Sequence, residues 1–354
     1  MLSINEHKKA LDRILRIARV HFYKPIQIAE ILYRHRTTKG LDLNDIESYR
    51  NISKRWRDEI SMRLVGRKST SSQKYQDNVF ERNAMPPRLL AALGDEDKRG
   101  EGFVEAYIYK SLQKKLESVR EAGEYIASSS SGSFSIKKLV SLFAESQGLR
   151  RSTDKIYEVS VYALFATIVR ALKAQITLEV VNKDRDILKD FEFFIQTVLG
   201  IDSENSSLVM PARLYRVGVT NAADRGLDMW ANFGAAVQVK HLTLTEELAE
   251  DIMENIAADR VVIVCLDAEK NTIETILKQV GWGERVQGII TLNDLNKWYG
   301  LCLSEKYREK LGGTLLTDLN REFNVEFPST AELEPFLKER GYTSIAMPRG
   351  WEIK

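Results

Sequence analysis

Apolar positions in the first eighty residues recur every three to four places, the repeat of amphipathic helices. One helix is expected around residues 5–22. A second is opened by Pro25 in PIQIAEILYRH, and a third runs from the Asn44–Asp45 cap through IESYRNISKRWRDEISMRL. Further along, residues 102–126 place Phe103, Tyr107, Leu112, Leu116 and Val119 on one helical face. SIKKLVSLFAESQGLRRSTDKIYE (135–158) reads as two helices turning at Gly148, with Ser152 or Thr153 capping the second. The rhythm then changes. ILKDFEFFIQTVLG is a helix ending at Gly200, whereas RLYRVGV (213–219), LDMWAN (227–232) and AAVQVKHL (235–242) read as strands. The last two are joined by a tight turn at Asn232–Phe233–Gly234. TEELAEDIMENIAA (245–258) is helical and VVIVCLD (261–267) is a nearly continuous apolar strand; NTIETILKQVG and VQGIITL add a further helix and strand. This order predicts an α/β (α+β) fold with a mixed central sheet flanked by helices.

With 354 residues, 44% of them hydrophobic, the chain can bury a sizeable core and is expected to form two or three domains. Ser-rich ASSSSGSFS (127–135) reads as a linker or loop, and MPP at 85–87 as a boundary. The expected division is a basic helical region over 1–85, a helical connecting region over 86–160 and an α/β domain over 161–354. No apolar run approaches the roughly 18–20 residues of a membrane span, and MLSINEHKKALDRIL has no secretory-signal core, so a cytoplasmic location is expected. Two cysteines, Cys265 and Cys302, are too few for a disulfide framework or a zinc site, and Cys265 in VVIVCLD reads as core.

The net charge of +2 says little until it is located. Residues 1–85 hold 18 Lys and Arg against 10 Asp and Glu, a net of +8, which leaves −6 on the remainder. That asymmetry suits a module that holds a phosphate backbone, although charged helical faces are often only solvated. Three short helices followed by VGRKSTSSQKYQ fit a winged helix-turn-helix. Arg50, Lys54, Arg55 and Arg57 on the third helix would then approach DNA, with Arg67, Lys68 and Lys74 on the wing. Residues 135–158 are a second helix-turn-helix candidate, bringing Arg150 and Arg151 to DNA.

The densest candidate chemistry lies between 228 and 240. If the strands pair as read, Asp228 opens one of them, and Gln238 and Lys240, two residues apart, project from one face of its neighbour. Such a set suits metal-assisted phosphodiester hydrolysis. Asp228 would be the anionic Mg²⁺ ligand, Gln238 an amide-oxygen ligand, and Lys240 the cation that orients water or stabilises developing charge. Glu192, on the preceding helix, is the candidate second carboxylate for the metal. A competing reading has Lys240 simply paired with Asp228. A similar string, Asp97 followed by Gln113, Lys114 and Lys115, falls in a helical pattern where residues two apart diverge, so no common site is expected there. His241 and Asp224 read as structural or supporting groups, Asp267 as a turn residue, and Trp230, Trp282 and Trp298 as core or interface.

On DFEFFIQTVLG, ADRGLDMW and VQVKHL the chain resembles the Mrr-like branch of the PD-(D/E)XK nuclease superfamily. There, a helix with a Phe-Glu pair precedes a Gly-hydrophobic-Asp strand and a Gln-x-Lys strand. Gln238 departs from the commoner Asp or Glu, and no Pro precedes Asp228. Over its whole length, including ADRGLDMWANFGAAVQVKHLTLTEELAEDI, the chain is similar to the HaeII-type family of type II restriction endonucleases. That resemblance implies a restriction-endonuclease-like fold with a mostly helical DNA-binding region. It also implies Mg²⁺, cleavage of both strands of double-stranded DNA at a GC-rich palindrome of the RGCGCY kind, and a homodimer. Two other readings share these motifs: a modification-dependent or repair nuclease of the Mrr kind, and a DNA-binding regulator that has lost activity.

Overall fold

The computed structural model describes residues 6–146, 148–202, 207–217, 227–256, 258–268, 285–329 and 331–353. The chain divides into two compact units, one built from Met1–Val159 with Leu319–Lys354, the other from Ser160–Gly218 with Asp224–Asp318.

The first unit is helical. It contains α1 (Glu6–Ile17), α2 (Tyr23–Thr37), α3 (Ile52–Val65), α4 (Gln73–Asp77), α5 (Pro87–Arg99), α6 (Phe103–Ser128) and α7 (Ile136–Glu145). The boundary between the units falls within α8 (Thr153–Ala171). α2 is buried at every position from Pro25 to Leu32, so it is the central helix and has no solvent face to give its polar residues. Gln27 therefore donates to Ser53 Oγ at 2.9 Å, and Glu30 accepts from the Tyr109 hydroxyl at 2.6 Å and from Arg340 at 3.2 Å. Asp45 caps a short 3₁₀ turn, Ile46–Ser48, before α3 begins. α3 ends where Gly66 takes a left-handed φ of 69°.

Two expectations change here. The segment after Gly66 contains no strand up to Ser72, whose hydroxyl caps α4; a polar run without alternation has nothing to pair as a wing, and α3 is followed by another helix. Residues 319–354, expected with the α/β domain, complete the helical core instead. Leu333, Phe336, Leu337, Tyr342 and Trp351 all join it, and Trp351 meets Phe103 and Tyr107 edge-on at 5.0 and 5.1 Å. The aromatic residues of the tail are the reason, since each buries a large area and such pairs add about 0.5–1.5 kcal/mol beyond it.

The second unit holds the sheets. β1 (Gln175–Glu179) pairs antiparallel with β2 (Ser207–Pro211) as a separate ribbon. Between them the expected single helix is broken into α9 (Arg185–Asp190), α10 (Glu192–Phe194) and a π turn, Ile195–Leu199, ending at Gly200 with φ 69°. The main sheet has the order β3-β4-β5-β7-β9. Its strands are β3 (Leu214–Arg216), β4 (Met229–Ala231), β5 (Ala235–Val239), β7 (Arg260–Cys265) and β9 (Val286–Thr291). β6 (Thr243–Leu244) and β8 (Asp267–Ala268) form a small parallel pair. The β3-β4-β5 edge is antiparallel, and β5-β7-β9 is parallel, so the sheet is mixed as expected. Gly234 closes the β4–β5 turn with φ 88°, its N–H bonded to Ala231 O at 2.9 Å. α11 (Glu246–Asn255) connects β6 to β7, and Ala249, Ile252 and Ile256 pack on Ala236, Val261 and Ile263. The helix expected at NTIETILKQVG and the residues Asp224 and Trp282 lie outside the described residues. α12 (Leu292–Leu303) opens on a Thr291–Asp294 capping box, and its Tyr299 hydroxyl donates to Ser160 O at 2.8 Å.

Candidate active site

β4 and β5 pair Met229 with Val237 and Trp230 with Ala236. One step further along that register, Asp228 stands opposite Gln238, and cross-strand partners share a face. The side chains meet: Gln238 Nε2 donates to Asp228 Oδ2 at 2.7 Å, and the Val239 backbone N–H donates to the same oxygen at 2.8 Å. Gln238 is 2% exposed, and among the described residues its buried Oε1 finds no hydrogen-bond partner. A buried amide with its donor engaged and its acceptor unspent costs free energy, on the order of 1–3 kcal/mol, unless something else occupies that oxygen.

Lys240 continues the strand. Its N–H donates to Val264 O at 2.8 Å, extending the β5–β7 ladder, and the two-residue repeat brings its half-buried side chain to the Gln238 face. Its Nζ makes no ion pair among the described residues, so the partner of Asp228 on the neighbouring strand is Gln238 and not Lys240. β7 beside it is nearly continuous core: Val261, Ile263, Val264 and Cys265 are buried. Burial pushes the Cys265 thiol up to about 12, which keeps it protonated and suits the expected core role.

Glu192 stands apart. It is exposed on α10 and accepts from Gln196, four residues on, at 3.4 Å; nothing joins it to Asp228 or Gln238. Among the described residues, no three His, Cys, Asp or Glu side chains gather as a metal cluster. What the site offers is one carboxylate and one uncommitted amide oxygen, both hard donors of the kind Mg²⁺ takes. The donor set therefore fits such an ion in kind, with a single anionic ligand supplied by Asp228.

On the same sheet face, Trp230 lies opposite Tyr215, and the two rings stack at 4.4 Å and 19°. Trp230 is 44% exposed, so of the two expected places, core or interface, it is not in the core, whereas half-buried Trp298 packs near Phe165 at 6.2 Å. The Tyr215 ring was not foreseen; its strand, RLYRVGV, shows alternation but no signal of which face is covered. His241 is half-buried and Asp267 exposed at the end of the apolar strand.

The residues expected at DNA divide sharply. Arg57 is 2% exposed, donating to Asp58 at 2.9 and 2.7 Å and to Gln27 Oε1 at 3.3 Å, so it is a structural cation of the helical core and not a DNA contact. Helical periodicity explains this: Ser53, Arg57, Ile60, Ser61 and Leu64 form the buried face of α3. Lys54 is drawn to Asp77 at 2.6 Å, Arg50 pairs with Glu47 at 2.8 Å, and Arg67 donates to Val325 O. Arg55, Lys68, Lys74, Arg150 and Arg151 keep exposed side chains. The Asp97 string is structural as expected. Asp97 accepts the Val104 and Glu105 N–H groups at 2.9 and 3.1 Å, capping α6, and buried Lys115 donates to Ala18 O.

Residues 7–342 match the sequence profile of the HaeII restriction endonuclease family. The chain is 48% identical over 344 residues to the type II restriction enzyme HaeII of Haemophilus aegyptius, covering 97% of this chain and 98% of that protein. It is 46% identical over 352 residues to the type II restriction enzyme NgoBI of Neisseria gonorrhoeae, covering 99% and 98%. No solved structure matches. No described helix is long and apolar enough to cross a membrane.

Proposed function

The chain belongs to the HaeII restriction endonuclease family, and from that premise we propose that it hydrolyses phosphodiester bonds of double-stranded DNA with Mg²⁺ at the Asp228–Gln238–Lys240 site. The observation that carries this is the unspent Gln238 Oε1, buried beside a carboxylate at the end of the sheet. Asp228 and Gln238 Oε1 would hold the ion; Glu192 has no observed part in that set. Bound there, Mg²⁺ would polarise the scissile phosphate and lower the pKa of a water. In the hydrolysis itself, a water oxygen bonds to phosphorus and gives up a proton as one bridging P–O bond breaks and the departing oxygen takes a proton up, while negative charge collects on the phosphoryl oxygens. Lys240 would stabilise that charge and orient the water, from a strand whose backbone is fixed by β7. The Val239 N–H holds Asp228 in position before the ion arrives, so less reorganisation is needed on binding.

Recognition of a short GC-rich palindrome of the RGCGCY kind rests on the family resemblance. The phosphate backbone would be held by the exposed bases Arg55, Lys68, Lys74, Arg150 and Arg151. Digestion of unmethylated plasmid with Mg²⁺ and with EDTA, followed by sequencing of the ends, tests the reading. Discrete Mg²⁺-dependent fragments that Lys240→Ala abolishes, with DNA binding kept, support it. Intact DNA across several divalent metals would overturn it and turn attention to modified DNA or to binding without cleavage. The metal site has a readout independent of activity: Gln238→Glu supplies a second anionic ligand and should enlarge the rise in melting midpoint that Mg²⁺ produces.

A further inference from the structure

The exposed rings of Tyr215 and Trp230 are not accounted for by the chemistry of the site. They are direct cross-strand partners on β3 and β4, stacked at 4.4 Å, and they remain 37% and 44% exposed. A cross-strand aromatic pair steadies a hairpin wherever it sits, but that needs only the two ring faces turned to each other. The rest of both rings stays in water. What sets the pair apart is its place: Trp230 lies two residues along β4 from Asp228, about 7 Å at the rise of a strand, and on the same face. Phe191, Phe193 and Phe194 at α10, which are 58%, 81% and 53% exposed, stand on no strand of the main sheet.

The surroundings of the pair limit what can lie on it. α11 closes the face over β5 and β7, where Ala249, Ile252 and Ile256 pack on Ala236, Val261 and Ile263. Its Glu247, Glu250, Asp251 and Glu254 are exposed and turn an anion away from that side. The β3–β4 part of the face is left open, and its charge has the other sign. Residues 212–217 and 227–242 hold Arg213, Arg216 and Lys240 against a single acid, Asp228, with His241 counted as neutral. The ribbon that leads into β3 reaches it through Ala174, Gln175 and Pro211, all uncharged. Beyond the rings, the two-residue repeat puts Arg213 on the face of Tyr215. Its carbonyl accepts the Asn232 N–H at 3.1 Å, and Asn232 is four residues from Asp228, or about 13 Å along the strand. Arg213 keeps an exposed side chain with no ion pair among the described residues. With about 150–250 Å² per ring, the pair leaves on the order of 150 Å² in water, far below the roughly 800 Å² that each partner of a standard protein interface contributes. Apolar rings followed by a free guanidinium, in line with the carboxylate site, suit the alternation of sugar and phosphate along a DNA strand.

We propose that Tyr215 and Trp230 form a shelf for the sugar–phosphate backbone of the strand being cut, with a deoxyribose on the rings and a neighbouring phosphate on Arg213, so that the scissile phosphate is delivered to Asp228 and Lys240. The shelf positions the substrate and rests on the nuclease reading of that site. Contacts of this kind fix register without reading sequence.

The first arm of the test reads contact without cleavage. A short duplex centred on AGCGCT, added to the full-length protein in EDTA, should quench indole emission, and Trp230→Phe should remove most of that quench. In the second arm, Trp230→Ala and Tyr215→Ala should each weaken DNA binding about five- to tenfold, equally on this duplex and on a scrambled one, with melting and molar mass unchanged. Trp230→Phe should restore the binding, and Arg213→Ala should lower its salt dependence by about one ion. Phe193→Ser, at an exposed ring away from the sheet, should change neither binding nor quench. If an alanine variant misfolds, the phenylalanine variant still reads the contact through the quench. A quench that Trp230→Phe leaves intact would overturn the proposal. So would a Trp230→Ala protein whose molar mass changes while its DNA binding does not, since the face would then meet protein. DNA left uncut by a wild type that shows the quench and the weakened variants would count against the nuclease reading and leave the DNA contact standing; normal cutting with neither effect removes the shelf alone.

Discussion

Two buried polar clusters, one in each unit, are satisfied to different degrees. In the helical unit, Glu30 meets the Tyr109 hydroxyl and Arg340, and Glu105 meets Arg36 through two bonds of 2.9 Å and also the Tyr342 hydroxyl. Their environment shifts these groups as burial and pairing demand: burial raises Glu30, and the hydrogen bonds that Arg36 donates to Glu105 hold the guanidinium firmly charged. At the end of the main sheet, Asp228 meets an amide, and that amide keeps its carbonyl oxygen unspent. The first arrangement is closed and holds helices together. The second leaves a buried acceptor beside a carboxylate, and the proposed metal site rests on that pair.

That contrast breaks most readily at Asp228. Asp228→Asn, whose amide oxygen can still accept from Gln238 and the Val239 N–H, should lower DNA cleavage by about 10³-fold or more while melting changes little, read from initial rates on plasmid and from thermal denaturation. An equally folded variant that still cuts would place the site elsewhere. Arg57→Ala should do the reverse, destabilising the helical unit by about 3–5 kcal/mol, because Asp58 and Gln27 lose a buried partner. If it folded normally and only DNA affinity fell, the structural role of Arg57 would be wrong. Arg55→Ala, on the exposed face of the same helix, should leave stability alone, weaken DNA binding across sequences and reduce the salt dependence by about one ion.

The smallest effect sharpens the helical side of the comparison. Burial, followed by a hydrogen bond shared with Glu105, pushes Asp97 up to about 8 from an ordinary carboxylate value of 3.8. A group whose folded pKa is raised lends stability that is full below its unfolded value and lost as pH climbs through the folded one. Wild type should therefore lose more stability than Asp97→Asn between pH 4 and pH 8, measured by urea unfolding at several pH values. Equal slopes would mean that Asp97 is ionised throughout that range.

The candidate site was largely legible because a strand has a two-residue repeat: Gln238 and Lys240 interrupt an apolar run on one face, and a turn at Gly234 fixes which residue stands opposite. Arg57 was misread because sequence gives helical spacing but not which side of α3 meets α2; a guanidinium looks the same on either side until a buried glutamine and aspartate claim it. The ribbon of β1 and β2 went unseen, since its pairing links residues as far apart as Gln175 and Pro211. Gly66 and Gly200 at helix ends, the tight turn at Gly234 and the apolar strand into Cys265 were local matters, settled by backbone sterics and hydropathy within a few residues. Tertiary structure alone decided that the C-terminal tail completes the helical core, that Gln238 and not Lys240 holds Asp228, and that Phe191 and Phe194 stay at the surface. Each of those depends on which distant surface takes a side chain out of water, and that choice is made only when the whole chain has packed.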